Sequence, residues 1–292
     1  MKGFILKVKF YIMRTISNRY IRELIADSVA KKIGKIDLHQ EPSILVDKSS
    51  GDNHLENILK NGYTELNLLL PDEIIRTILS FSKTLKCFDP YNKSYGDFMI
   101  EDVEIDTHVA NYRREDLIRC KPIMDLANDS AILDIVQSFL KAKPTISNIN
   151  MWWSMGERNQ AKDAQLFHRD VDDFRFLKLF IYLTDVSAYN GPHTFVEGSS
   201  SSSKLLKIRR YEDNEIIDVF GKDKIIEFIR PKGSAFIVNT YGFHKGLLPL
   251  QGNRLLLQIQ YSLNPIGIEN YQPIKIDNDN YDSYINRCLI KK

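Results

Sequence analysis

Four residues in the second half of the chain have types and spacings that could do chemistry together. They are His168 and Asp170, two apart, then His244, and Arg254 ten residues beyond it. Two imidazoles and one carboxylate are the ligand set of the facial triad, which leaves open positions on a non-haem Fe(II) ion. An arginine shortly after the second histidine has the planar fork that grips a carboxylate through two parallel hydrogen bonds. Residues two apart in an extended segment face the same side, so His168 and Asp170 can share one ion while Arg169 turns away. Spacing does not single out the acid. Asp172 has the parity of Asp170, and Asp173 follows it; Asp170 lies nearer the histidine and is the expected ligand. His193 competes with His244 for the third position, 74 residues beyond Asp170. His193 opens a strand after the Gly191-Pro192 turn, whereas His244 alone has an arginine at a useful distance.

The elements that must position these groups read as strands. Short β-rich segments over 145–153, 177–184, 193–196, 225–229, 234–240 and 254–262 are separated by turns. Strands this short and numerous, following helices rather than alternating with them, predict an antiparallel sandwich or barrel. In the last segment Arg254, Leu256, Gln258 and Gln260 share one face, and Leu255, Leu257, Ile259 and Tyr261 the other. A polar interior face beside a metal is where a substrate would lie, and an arginine buried there implies an anionic partner. Ahead of the β-rich half, apolar spacing predicts a helix over 17–33 stopped by Gly34, and a second opened by Pro71 with Asp72 and Glu73 in its first turn. A third spans 130–141, capped by Asp129 and ended by Pro144. The turn-rich stretch 47–54 reads as a surface loop carrying a solvated His54. Trp153 reads as an ordinary core tryptophan.

Composition sets the frame. With 292 residues, 43% apolar and 27% charged, the chain fits one large domain with ample core. A net charge of +2 gives no basic footprint for nucleic acid. Cys87, Cys120 and Cys288 are scattered, with no CxxC pair, which fits buried thiols in a reducing compartment rather than zinc or disulfides. The basic, apolar start is interrupted by Lys7 and Lys9 and has no cleavage site, and no apolar run reaches membrane-spanning length. The expectation is a cytoplasmic enzyme with a small-molecule substrate and neither nucleic acid nor membrane as partner. There is no Gly-rich phosphate loop before a helix, no His-Glu-x-x-His and no Gly-x-Ser-x-Gly elbow.

The sequence resembles the phytanoyl-CoA dioxygenase family, within the Fe(II)/2-oxoglutarate oxygenase superfamily. The likeness is carried by Phe167-His168-Arg169-Asp170, the runs 177–186, 190–199 (with Gly191-Pro192-His193) and 232–238, then His244 and Arg254. It covers about residues 145–263, and reaches more faintly to Asn61-Gly62-Tyr63 and the Pro71 helix. The resemblance implies a mainly β fold with N-terminal helices (α+β), built on a double-stranded β-helix, a cupin-like jelly roll with iron at one open end. It suggests one domain over 1–292: a mainly helical extension over 1–88, the core with supporting helices over 89–264, and a C-terminal tail over 265–292. By the same resemblance His168, Asp170 and His244 bind iron, and Arg254 clamps the distal carboxylate of 2-oxoglutarate. Tyr182 and Gln165 add contacts to the co-substrate, and His193 is either structural or a neighbour that supports the metal ligands. Relatives often carry a hydroxyl residue two places after the distal histidine; here it is Gly246. With the acid retained, the halogenase variant is disfavoured. The implied activity is hydroxylation of a small metabolite using O2, with release of succinate and CO2. Two other readings keep parts of this pattern. A cupin-like metal isomerase or hydrolase has no use for Arg254, and in a non-catalytic jelly-roll binding module the histidines and aspartate merely satisfy one another.

Overall fold

Alternation in the β-rich half resolves into two antiparallel sheets packed face to face. The computed structural model describes residues 2–38, 41–158, 163–277 and 280–291. The helices are α1 (Lys2–Thr15), α2 (Arg19–Ile33), α3 (His54–Asn61), α4 (Asp72–Ser82), α5 (Arg114–Leu117), α6 (Lys121–Ala127), α7 (Ser130–Leu140) and α8 (Asp213–Phe220). The strands are β1 (Tyr63–Glu65), β2 (Cys87–Phe88), β3 (Asp97–Phe98), β4 (Val109–Tyr112), β5 (Thr145–Ser154), β6 (Phe176–Tyr182), β7 (His193–Val196), β8 (Ile225–Glu227), β9 (Ala235–Val238), β10 (His244–Gly246) and β11 (Arg254–Ser262). The large sheet runs β1-β9-β6-β11-β5-β4-β2-β3 and the small one β10-β7-β8. This is a jelly roll with helices in front of it in the chain, as the strand pattern and the resemblance led us to expect.

Parity along β11 decides what each face of the large sheet does. Leu255, Leu257, Ile259 and Tyr261 point outward into the main apolar core, against α2, α4, α6 and α7. That core also takes in Ile285, Leu289 and Ile290 from the C-terminal end of the chain. Leu256 points the other way, into an aromatic cluster with Phe180, Tyr182, Phe195, Phe228 and Phe236 that joins the two sheets. Arg254, Gln258 and Gln260 share the face of Leu256 and are buried. Strand β11 is therefore buried on both faces yet keeps a polar row inside. That row is the floor of the site.

Local signals set most boundaries. Asn18 caps α2 through Ile21 N–H, and Asp129 caps α7 through Ala131 and Ile132 N–H. The loop expected over 47–54 ends instead in a helix, because Asn53 caps α3 at Glu56 N–H. His54 is buried there, with Nδ1 3.0 Å from Thr64 Oγ1, so the expectation of a solvated histidine was incorrect. Gly62 closes α3 at φ +91°, and a Cβ at that position would lie 2.7 Å from the Phe195 ring. Only glycine fits both demands. Among the described residues no helix is long and apolar enough to cross a membrane.

Candidate metal centre and the cavity around it

His168 and His244 meet because their backbones pair directly. His168 N–H donates to His244 C=O, and His244 N–H to His168 C=O, both at 3.0 Å. Asp170 N–H then donates to Thr240 C=O at 2.9 Å, carrying the extended segment past the end of β10. Arg169, between the two ligand candidates, turns away as the alternation requires. Its guanidinium lies 4.1 Å over the Phe243 ring and donates to the carbonyls of Ser199, Tyr241 and Lys204. This buried arginine pins the segment to its neighbouring loops.

The side chains of His168, Asp170 and His244 offer ligand atoms that all lie within 4.8 Å of one another. Asp170 Oδ2 is 3.3 Å from His244 Nε2, and Oδ1 is 3.8 Å from His168 Nε2. Each ring presents its Nδ1 to a backbone carbonyl two residues earlier: His168 to Leu166 O at 2.9 Å and His244 to Gly242 O at 3.0 Å. A carbonyl only accepts, so each Nδ1 carries a proton and each Nε2 is the ring atom turned toward Asp170. With Nδ1 committed to a carbonyl, Nε2 is the nitrogen a metal would take. Burial, with His244 beside it, pushes His168 down to about 3, so its ring is neutral. Burial alone would push Asp170 up, but Lys178 and His244 outweigh it and hold the carboxyl well below the usual range. Two imidazole Nε2 atoms and a carboxylate on one side of a point fit a metal with open positions facing the cavity.

The cavity, of about 380 Å³, opens between the sheets, and its walls include all three of these residues with Arg254, His193 and Gln165. Arg254 is wholly buried. One Nη donates to Gly191 C=O and the other to Ser154 Oγ at 2.9 Å, while Nε has no hydrogen-bond partner. No carboxylate of the described residues pairs with this guanidinium, and burial lowers its pKa from the ordinary arginine value. A buried cation without a counter-charge is costly, so the geometry asks for an anion from outside the chain. Gly246 lies against it: a Cβ there would stand 3.2 Å from Arg254 Nη2. The hydroxyl missing at Gly246 is matched by Ser154, which is paired with Arg254 across β5 and β11.

Tyr182 and His193 are placed differently from what was expected of the tyrosine. The Tyr182 hydroxyl donates to Phe228 C=O and accepts from His193 N–H, each at 2.9 Å. It is buried beneath the cavity wall rather than in it, and burial pushes it up to about 12. With its one proton committed, it offers a co-substrate nothing; the expectation of a contact there is corrected. His193 packs at tilted angles among the rings of Phe180, Phe228 and Phe236 with Nε2 unpartnered among the described residues, and burial holds it well below the ordinary histidine range. It forms part of the wall and lies outside the ligand cluster.

Three wall residues were missed in the sequence. Lys178 extends from β6 to put Nζ 2.6 Å from Asp170 Oδ2 and 3.3 Å from Asp172 Oδ2. Burial pulls this ammonium down, yet the two carboxylates more than compensate and raise it. Its signal was a lone lysine inside the apolar run Phe176-Leu177-Lys178-Leu179-Phe180. Ser154 and Trp152, of the same parity on β5, face the cavity. Trp153, on the opposite face, packs in the core and donates Nε1–H to Tyr112 Oη at 3.0 Å.

No protein-family model and no curated protein sequence matches the chain. Solved structures do. One is HygX from Streptomyces hygroscopicus with nickel, 2-oxoglutarate and hygromycin B bound: TM-score 0.53, 14% identity, 78% of this chain and 92% of that one covered. The epimerase SnoN in complex with Fe3+, alpha-ketoglutarate and nogalamycin RO has TM-score 0.53 and 14% identity, covering 78% of this chain and 94% of its own. EctD from S. alaskensis in its apoform has TM-score 0.52 and 16% identity, with 81% and 89% covered. At identities this low the likeness is one of fold, and it places this chain's architecture among jelly rolls.

Proposed function

We propose that this protein is an Fe(II)- and 2-oxoglutarate-dependent oxygenase of the phytanoyl-CoA dioxygenase type, hydroxylating a small molecule. The observation that carries the reading is Arg254: a buried guanidinium with an unpartnered Nε–H and no acid beside it among the described residues, sharing one cavity with the His168, Asp170 and His244 cluster. A metal isomerase or hydrolase gives such an arginine no task. His168 and His244 would bind iron through Nε2 and Asp170 through one carboxylate oxygen. Arg254 would hold the far carboxylate of 2-oxoglutarate, while Gly191 C=O and Ser154 Oγ fix the fork's orientation from behind. Ser154 Oγ accepts from Arg254, so its own proton is left to donate to the same carboxylate. Iron with 2-oxoglutarate and O2 supplies the oxidising power for C–H hydroxylation, releasing succinate and CO2. Phe180, Trp152 and Leu256 give the cavity an apolar side that limits water. The solved structures add support: HygX was seen with nickel, 2-oxoglutarate and a small molecule, and SnoN with Fe3+, alpha-ketoglutarate and nogalamycin RO.

The direct test is Fe(II)-dependent conversion of 2-oxoglutarate to succinate by the aerobic protein, measured with and without candidate small molecules. Wild type should turn over 2-oxoglutarate and Asp170→Ala should not. Equal rates in both would sink the proposal.

A further inference from the structure

The large sheet carries a row of carboxamides that the chemistry above does not use. Asn148 and Asn150 on β5 face Gln260 and Gln258 on β11 in direct register, and Asn111 on β4 lies beside Trp152. All five amides line the cavity. Gln258 is 7% exposed, and neither it nor Asn111 nor Asn150 makes a side-chain hydrogen bond to any described residue. Gln260 spends only Nε2, on Asp172 at 3.2 Å, and Asn148 only Oδ1, accepting from Arg114 at 3.1 Å. Three whole amides and two half-used ones therefore converge on one wall. None of these amide atoms is sealed off from the cavity, so their unspent donors and acceptors face whatever the cavity holds.

The other charges on the same wall already have partners within the chain. Lys178 sits between Asp170 and Asp172, and Glu269 takes Arg114 at 3.0 Å. Arg254 is assigned to the co-substrate. What remains unspent is neutral and two-sided, because each amide offers a donor and an acceptor next to each other. A hydroxyl is the one common ligand group that also donates and accepts at a single atom, and adjacent ring hydroxyls meet both ends of a carboxamide. Trp152 and Phe180 beside the row supply flat apolar faces for ring C–H groups. A cavity of about 380 Å³ is at the small end for ligand pockets, and part of it goes to a five-carbon diacid. The remainder suits one or two rings rather than a long acyl chain.

We infer that the substrate is a neutral, polyhydroxylated ring compound of sugar or cyclitol type, bound through Asn111, Asn148, Asn150, Gln258 and Gln260. This rests on the oxygenase reading for the position of the co-substrate. A site built to hydrogen-bond hydroxyls rejects isosteres lacking them far more strongly than an apolar pocket rejects an added hydroxyl, because its amides are left unpaired.

The experiment uses full-length protein loaded with Zn(II), which is diamagnetic and supports no turnover. Binding of 2-oxoglutarate is measured first by calorimetry. Saturation-transfer NMR in its presence then compares methyl glucoside and myo-inositol with cyclohexylmethanol, octanoate and an N-acetylated dipeptide amide. The hydroxylated probes should bind at least tenfold more tightly than the rest, and Gln258→Leu and Asn150→Leu should each erase that preference. Two results with 2-oxoglutarate bound would overturn the inference and leave the oxygenase reading standing. One is tighter binding of an apolar, acyl or amide probe, or no binding of the hydroxylated ones. The other is equal weakening of every probe in both variants. Failure of 2-oxoglutarate itself to bind would instead refute the oxygenase reading, and the inference with it.

Discussion

Lys178 Nζ stands 2.6 Å from Asp170 Oδ2, the same oxygen that lies 3.3 Å from His244 Nε2. An ammonium thus rests on the carboxylate that faces both imidazoles, with Asp172 3.3 Å away on its other side. Replacing Lys178 by Met strands two half-buried acids, and removing one partner of a fully buried pair costs about 3–5 kcal/mol, an upper bound here. A divalent ion at the centre would return positive charge to them. We predict that Lys178→Met sharply lowers the melting temperature of the metal-free protein, and that Ni(II) or Zn(II) raises it by more than in wild type. Scanning calorimetry with and without metal decides this. Equal metal-induced shifts would uncouple Lys178 from the centre.

Arg254→Ala should weaken 2-oxoglutarate binding by about 2–5 kcal/mol, the range for truncating one member of a buried charge pair. Ser154→Ala removes one hydrogen bond and should cost about 1 kcal/mol, roughly fivefold in Kd. Gly246→Val pushes methyl groups toward Arg254 Nη2, which a bare Cβ would already approach to 3.2 Å, and should also weaken the diacid. Metal binding, measured separately, should persist in all three. Loss of metal together with 2-oxoglutarate would mean that these residues support the fold of the centre rather than the anion.

Much of this was legible because β-strand parity is unforgiving. Reading Arg254, Gln258 and Gln260 to one face and Leu257 and Ile259 to the other needed only the two-residue period, and the structure puts the first group in the cavity and the second in the core. His168, Asp170 and His244 come together through backbone pairing between segments far apart in the chain, which residue types could suggest and only the fold displays. Lys178 was hidden because a lysine in an apolar strand has meaning only once two acids are seen beside it. Tyr182 failed for the opposite reason: its parity points inward, but Phe228 and His193 had already taken its hydroxyl. His54 looked solvated because its neighbours are turn formers, and Asn53 converted them into a helix cap.

The two faces can be separated by mutation. Ile259→Ala opens a cavity in the main core and should cost about 2–5 kcal/mol of stability while leaving metal affinity intact. Urea unfolding beside metal titration measures both. A large change in metal affinity with little loss of stability would contradict the division of faces.

Acid should weaken the metal-free protein in a defined window. His193 is held well below its ordinary 6.5, first by burial and then by His244 and Arg254. The unfolded chain protonates this ring as pH falls below about 6.5 and the folded chain does not, so stability is complete above that pH and is lost on acidification. The slope is at most about 1.4 kcal/mol per pH unit for each such histidine. His168, held at about 3, adds a parallel loss. His193→Phe keeps an aromatic ring in the cluster and removes one proton site, so its stability should fall less steeply than wild type from neutral pH to about pH 5. Urea titrations across that range test it, and parallel curves would mean that His193 is not buried neutral.

The most direct measurement is an anaerobic titration of 2-oxoglutarate into the Fe(II)-loaded protein, followed by the visible charge-transfer band of the chelate. A saturable band is expected, absent in His244→Ala and shifted to much higher 2-oxoglutarate concentration in Arg254→Ala. Iron bound in stoichiometric amount with no band at any 2-oxoglutarate concentration would contradict the co-substrate assignment, and failure to bind iron at all would contradict the metal centre itself.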